Sequence, residues 1–369
     1  MTVRAVSNNP FSPVYNSSAP NLTGAVGSLI ALLDAVLVNG FSGFTALGWT
    51  KAYSGTNTAQ YAMASGGTGA QVYVNDNGPG AAGAKEARFN GFKTGTGIGT
   101  GTNQFPTTSQ QSTTPSGQLV IRKSNTADST VRYWTLIGDG HTFYLITEPG
   151  DVTTPLTSSV AAFGDFFSYT AGDVDNCMII GRVSENSANF VNTTGGQVVW
   201  GSQTRTSMVE AFSMISGGGT SWMTDYFHGH FAMGPHTGVG GSTPMGKSID
   251  LMKTGAYNQL TPQMGVAHSG LSNQGGTWYS AFPYPNAADG ALYVSPCWLH
   301  TNGTIRGYLK GVWVPLHHLP LNHNDNYSAS GNLTGKSMLV QMILGQGNTS
   351  TAGTNGQAQC HFEYSDTWN

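Results

Sequence analysis

The chain has 369 residues, enough for two domains of common size or for one large β unit. Its 15 basic and 18 acidic residues leave a net charge of −3, and charged residues make up only 9% of the chain, where about 25% is usual. That balance excludes the basic footprint that a phosphate backbone or an anionic bilayer demands, so neither nucleic acid nor membrane is expected as a partner. Disorder is excluded as well, because 38% hydrophobic and 11% aromatic residues supply enough apolar surface to offset chain entropy in a packed core.

Residues 1–20, with Pro10, Pro13 and Pro20 among Asn and Ser, show no periodicity and are predicted to form an extended arm lying on a neighbouring chain. Met1–Ser28 lacks the basic-then-apolar order of an export signal. Thr23 is placed to cap a helix starting near Gly24, and Val26, Leu29, Ile30, Leu33, Val36 and Leu37 make one apolar face that Asn39-Gly40 closes. With Asp34 inside it, this helix is too short and too polar to cross a bilayer.

From Gly48 onward short apolar runs alternate with Gly, Asn and Asp, the pattern of strands and tight turns. Strands are predicted at Gln71–Val74, Leu119–Arg122, Trp134–Ile137, Thr142–Ile146, Met178–Val183, Val198–Trp200, Ala291–Val294, Gly307–Val314 and Ser337–Leu344, and a second helix at Thr206–Met214. The stretch 95–118, with Gly95, Gly97, Gly99 and Gly101 followed by Thr, Ser and Gln, reads as a long surface loop. No fixed-period repeat and no alternation of strands with long helices is present. The expected fold is therefore mainly β, with β-sandwich-like domains, one N-terminal amphipathic helix and the arm. Turn formers concentrate near 185–195. This divides the chain into an arm (1–20), a helix plus β domain (21–190), and a second β-rich domain or continuation of the same unit (191–369).

Candidate chemistry is sparse. Gly241-x-x-x-x-Gly246-Lys247-Ser248 matches a phosphate-binding loop letter for letter, but no apolar strand precedes it and Pro244 removes one of the N–H donors the cradle uses. If it were a nucleotide site, Lys247→Ala would abolish binding. Gly331-x-x-x-Gly335-Lys336-Ser337 is one residue short of that motif and reads as a turn, and no helix signal follows the glycines at 95–101. His228, His230 and His236 form one group and His317, His318 and His323 another. His228 and His230 would face the same side of a strand, as two ligands of one metal would, but aromatic neighbours such as Phe227 and Phe231 favour histidines bonded within a β core. No metal or other cofactor is assigned.

Asp165, Asp173, Asp175 and Glu210 could supply the paired carboxylates of glycoside hydrolysis, yet they sit beside turn residues and read as turn caps. There is no Gly-x-Ser-x-Gly elbow. Asn75-Asp76-Asn77-Gly78 lacks the ligand spacing of a calcium loop and reads as a hairpin turn. Two aromatic clusters, Phe163–Tyr169 and Trp278–Tyr284, suit either sugar stacking or a subunit contact. Cys177, Cys297 and Cys360 are too few for a disulfide framework and fit a reducing site of synthesis.

One set of residues carries a resemblance. Leu29–Gly40, Gly48-Trp49-Thr50-Lys51 and Ser54-Gly55-Thr56-Asn57 are followed in order by Asn75–Gly78, Glu86-Ala87-Arg88, Arg122-Lys123-Ser124, Thr142-Phe143-Tyr144, Gly164–Phe167 and Gly181-Arg182-Val183, and later by Arg306-Gly307 and Gly335-Lys336. This series resembles a family of tailed-bacteriophage virion structural proteins, most strongly over residues 25–185. The resemblance implies a particle component made in the bacterial host cytoplasm, without catalytic residues to carry over. Composition points the same way, since a surface of Ser, Thr, Asn, Gln and Gly is expected to face sister subunits. The expectation is a non-enzymatic symmetric oligomer in contact with copies of itself and other virion proteins, in the tail or baseplate ahead of the capsid surface. Fibres or host surface glycans are further expected contacts of the tail component, and a glycan-binding or depolymerase module is the rival of a different class.

Overall fold

The computed structural model describes residues 1–79, 83–105, 118–150, 159–181, 211–214, 250–251, 290–292, 294–301, 304–315, 321–344 and 358–368. The described chain is mainly β, with a single short α-helix. In chain order it runs β1 (Arg4–Ser7), α1 (Ser28–Leu33, continuing in π-helical turns over Asp34–Asn39), β2 (Thr50–Gly55), β3 (Thr58–Ala62), β4 (Gln71–Asn75), β5 (Glu86–Gly97), β6 (Thr100–Phe105) and β7 (Leu119–Arg122). Then follow β8 (Tyr133–Gly138), β9 (Thr142–Glu148), β10 (Ser159–Asp165), β11 (Phe167–Ser168), β12 (Cys177–Gly181), β13 (Ala211–Met214) and β14 (Asp250–Leu251). The last strands are β15 (Val294–Thr301), β16 (Thr304–Pro315), β17 (Asn326–Ser328), β18 (Ser337–Leu344) and β19 (Ala358–Glu363).

These strands form three sheets, with orders β1-β8-β9-β10-β12-β13, β2-β3-β4-β5-β6 and β14-β15-β16-β19-β18-β17; β7 joins β5, and β11 joins β16. Every pairing is antiparallel except β14 with β15. β9 is buried along its whole length. Successive side chains of a strand point to opposite faces, and accordingly Phe143 meets Trp49 edge-on at 5.5 Å while Tyr144 lies 5.3 Å from Phe362 and 5.8 Å from Trp368. Burial on both faces explains why this region reads as unbroken apolar runs instead of alternation.

The helix departs from its predicted start. Gly24 lies so close to the backbone of Thr126 that a Cβ there would stand 1.8 Å from its carbonyl oxygen, and Thr23 Oγ1 accepts from Ala25 N–H, closing a local turn. Helical geometry therefore begins at Ser28, after Gly27 at φ 79°, and Val26 stays 47% exposed. The cap comes from far along the chain: Asp76 Oδ2 accepts Leu29 N–H at 2.8 Å. Beyond Leu33 the wider π-helical turns leave carbonyls that the incoming strand satisfies, with Leu47 N–H donating to Val36 and Gly48 and Trp49 N–H to Leu37.

Other expectations shift too. Within the segment predicted as an extended arm, Arg4–Ser7 pair with β8 of the same chain and Val3 N–H donates to Asp366. The predicted loop from 95 is, as far as Phe105, the β5–β6 hairpin, turning at Gly99 with φ 66°. Small residues read as a loop because here they make room: a Cβ on Gly95 would meet Gln60 Nε2 at 2.1 Å. The described part of the predicted helix Thr206–Met214 is strand β13, held on β12 by antiparallel pairing, so sheet pairing overrides a weak helical pattern. Residues 291–292 precede β15, which starts at Val294. The 185–195 boundary and the strand predicted at Val198–Trp200 lie outside the described residues.

Leu32 is fully buried and Val26 is not. Leu32→Ala is expected to cost about 3 kcal/mol in urea denaturation, whereas Val26→Ala should stay within about 0.5 kcal/mol.

Candidate binding face

Among the described residues, strand β16 sets up the surface with most recognition chemistry. Up to Lys310 its burial alternates, Gly307 and Leu309 in, Tyr308 and Lys310 half-buried; at Gly311 the alternation slips, so that Val312 is buried and Trp313 half-buried. Gly311 sits at φ 68°, a conformation L side chains rarely adopt, and a Cβ there would lie 2.1 Å from Trp368 Nε1. The slip brings Tyr308 and Trp313, five residues apart, to one small cleft of about 90 Å³ that Leu333, Lys336 and Glu363 also line.

The polar side of the cleft is tightly organised. Lys336 Nζ pairs with Glu363 Oε1 at 2.7 Å and donates to Thr367 O at 2.8 Å. Trp313 Nε1 donates to Glu363 Oε2 at 3.3 Å. Trp368 Nε1 donates to the Glu363 carbonyl at 2.8 Å. Glu363 therefore spends its carboxylate on a cation and an indole, which suits a fixed binding wall better than a proton carrier.

Beside the cleft, β11 pairs with β16 and sets Phe167 flat on Tyr308 at 4.7 Å, with Tyr169 edge-on to Phe167 at 5.5 Å. Phe167 is 37% and Tyr169 53% exposed, and Val174 nearby in sequence is also exposed. Burial raises the Tyr169 and Tyr308 hydroxyls above their ordinary range, so both rings are neutral contacts at physiological pH. Such faces can stack on a sugar or anchor a protein contact.

The acids singled out in the sequence hold turns. Asp165 accepts from Thr68 N–H at 2.8 Å and Thr68 Oγ1 at 2.6 Å, and desolvation pushes its carboxyl up. Asp173 accepts from Ser168 Oγ and from Asp175 N–H, and Asp175 pairs with Lys93. Asp76, in the segment compared with a calcium loop, is tied to Lys123 and the helix start. His323 Nε2 lies 3.1 Å from Glu148. Gly331–Leu333 is a turn, with Lys336 committed to Glu363. His228, His230, His236, His317, His318, Glu210, Gly241–Ser248 and Trp278–Tyr284 lie outside the described residues. Among the described residues no three His, Cys, Asp or Glu side chains group as a metal site would, and no helix is long and apolar enough to cross a membrane.

The sequence reading did not single out Tyr308, Trp313 or Glu363 as site residues, and took Lys336 only as part of a turn. Strict alternation puts positions 308 and 313 on opposite faces, and Glu363 arrives from another strand. The positive φ at a glycine is what reverses that assignment. Comparison with known protein families and with curated proteins finds no match to this chain.

Behind the face, His361 is fully buried, with Tyr327 Oη 2.7 Å from its Nδ1 and no partner at Nε2. Desolvation lowers its pKa from 6.5 to about 3. The unfolded chain therefore takes up a proton near pH 6.5 that the folded chain refuses until about pH 3, so this residue's contribution is complete above pH 6.5 and falls as pH drops. Between pH 7.5 and 4 the wild type is expected to lose on the order of a few kcal/mol more than His361→Gln in urea denaturation. Equal losses would show that His361 protonates freely in the fold.

Proposed function

We propose that this chain is a non-enzymatic structural component of a tailed-bacteriophage particle, acting by association as a symmetric oligomer, in the tail or baseplate ahead of a decorating position on the capsid. The single observation that carries an associating role is the Phe167–Tyr169–Tyr308 cluster, which leaves aromatic area in solvent on a chain with only 9% charged residues. Covering such rings releases water at about 25 cal/mol per Å², and few charges stand in the way of contact between identical copies. The phage setting rests on the motif series from Leu29 to Lys336.

Two finer elements belong to the same reading. The face-to-face sheets, joined through Phe105 on Phe163 on one side of the β9 sheet and Tyr144 on Phe362 on the other, form a β-sandwich-like unit. The N-terminal segment, anchored at Arg4–Ser7, offers Phe11 at 77% and Tyr15 at 47% exposure to a neighbouring subunit.

Phe167→Ser with Tyr169→Ser is expected to shift the purified protein from oligomer to monomer by light scattering, with circular dichroism unchanged. A monomeric wild type removes the basis of the reading. In purified particles, a copy number matching the shell lattice favours the capsid surface over the tail. The Tyr308–Trp313 cleft favours the second reading, a glycan-binding or depolymerase module. Binding to host polysaccharide, or new reducing ends after incubation with it, would establish that alternative.

A further inference from the structure

Independently of that reading, the ends of β4 and β7 place two reactive groups together. Asp76 follows β4, Lys123 follows β7, and both strands flank the region around β5, β4 on one edge and β7 on the other. Neither side chain has any solvent exposure. Lys123 Nζ lies against Asp76 Oδ1, an oxygen that receives no other hydrogen bond. Asp76 Oδ2 is held by Leu29 N–H at 2.8 Å, and Ser28 Oγ lies 3.4 Å from Lys123 Nζ.

We infer that Lys123 and Asp76 condense to an intramolecular isopeptide bond. The step balances without oxidant, metal or co-reactant. A proton passes from the Lys123 ammonium to Asp76 Oδ1, giving a neutral amine and a carboxylic acid. The Nζ lone pair then attacks Cγ, and the carbonyl electron pair moves onto Oδ2, where the Leu29 N–H is aimed at the developing charge. A second proton moves from Nζ to the Oδ1 hydroxyl, with Ser28 Oγ in reach as relay. Oδ1 leaves as water, the carbonyl re-forms, and the Nζ–Cγ amide remains.

Three features favour this over a lasting ion pair. Fixed contact replaces a bimolecular encounter, which is worth several powers of ten in effective concentration. Burial excludes the water that would reverse the reaction. Desolvation also moves both groups toward their reactive neutral forms, raising Asp76 to about 6 and lowering Lys123. The product would tie the ends of β4 and β7 covalently across β5, with the helix start hydrogen-bonded to its carbonyl.

Intact-mass spectrometry and tryptic mapping of the purified full-length protein decide the matter. The wild type is expected to be one water lighter than its sequence, with peptide 52–85 joined to peptide 123–132 and no cleavage after Lys123. Lys123→Arg should restore the full mass and separate the peptides; if that variant does not fold, the wild-type digest alone decides. A wild type of full mass with the two peptides unjoined overturns the inference. So does a water loss confined to peptide 52–85, which would mark a cyclised Asp76 or its neighbours instead of a cross-link.

Discussion

Folding must bury Lys123 against Asp76 as an ion pair before the two can condense, and that is the constraint around which the N-terminal half is arranged. Taking two such ions out of water costs several kcal/mol each, and their mutual attraction offsets this only where the remaining lone pairs and protons are also satisfied. Here Asp76 Oδ1 has Lys123 alone, and the neighbouring polar groups are met by backbone from separate places in the chain. Lys123 donates to Ala25 O at 2.7 Å, Asp76 accepts from Leu29 N–H, the Asp76 carbonyl accepts from Gly27 N–H, and Asp76 N–H donates to Asn57 O. The helix start, the β3 turn and the ends of β4 and β7 are thus located by one charge pair. None of them can move without stranding a charge in an apolar interior, a loss of about 3–5 kcal/mol.

From that anchor the order passes outward through packing. The fixed helix presents Leu29, Leu32, Leu33, Val36 and Leu37 to the core, and its last carbonyls receive Leu47–Trp49. Trp49 then donates to the Asp139 carbonyl at 2.9 Å and stands edge-on to Phe143 and Phe163, so the helix, the β8–β9 turn and β10 share one aromatic joint. On the reverse side of β9, Tyr144 reaches Phe362 and donates to Lys310 O at 3.0 Å. Strand β16, which carries the aromatic face, is therefore braced through β9 to the buried charge pair. A surface braced in this way is preorganised, so that ordering it on contact would cost little.

What could be read from the sequence follows from what each segment touches. Leu119–Arg122 and Ser337–Leu344 were legible to the residue because each is an apolar run with sharp breakers at its ends. Strands β5 and β6 were not, since Gly91, Gly95 and Gly101 are there to admit Phe105, Gln60, Gln71 and Phe92, and small residues that relieve crowding resemble a loop when seen alone. Val26 fits the helical period but lies before a left-handed glycine. The Asp76 cap was hidden for another reason: a carboxylate that satisfies Leu29 from 47 residues away leaves no local mark. The face was half legible: Phe167 and Tyr169 stand in the aromatic run read as a contact, whereas Tyr308 and Trp313 are brought together only by the positive φ of Gly311.

The pairing of charges also explains the character of what remains outside. Lys51 is matched to Asp34, Lys93 to Asp175, Arg122 to Glu86, Lys123 to Asp76 and Lys336 to Glu363. In a chain with only 15 basic and 18 acidic residues, charges held inside such pairs are charges withdrawn from long-range steering or repulsion. In the proposed oligomer, a contact through Phe167 and Tyr169 would draw little attraction or repulsion from these paired charges. Under that proposal specificity would rest on shape and aromatic fit, with Phe167 seated on Tyr308 where Gly307 lets β11 come close to β16.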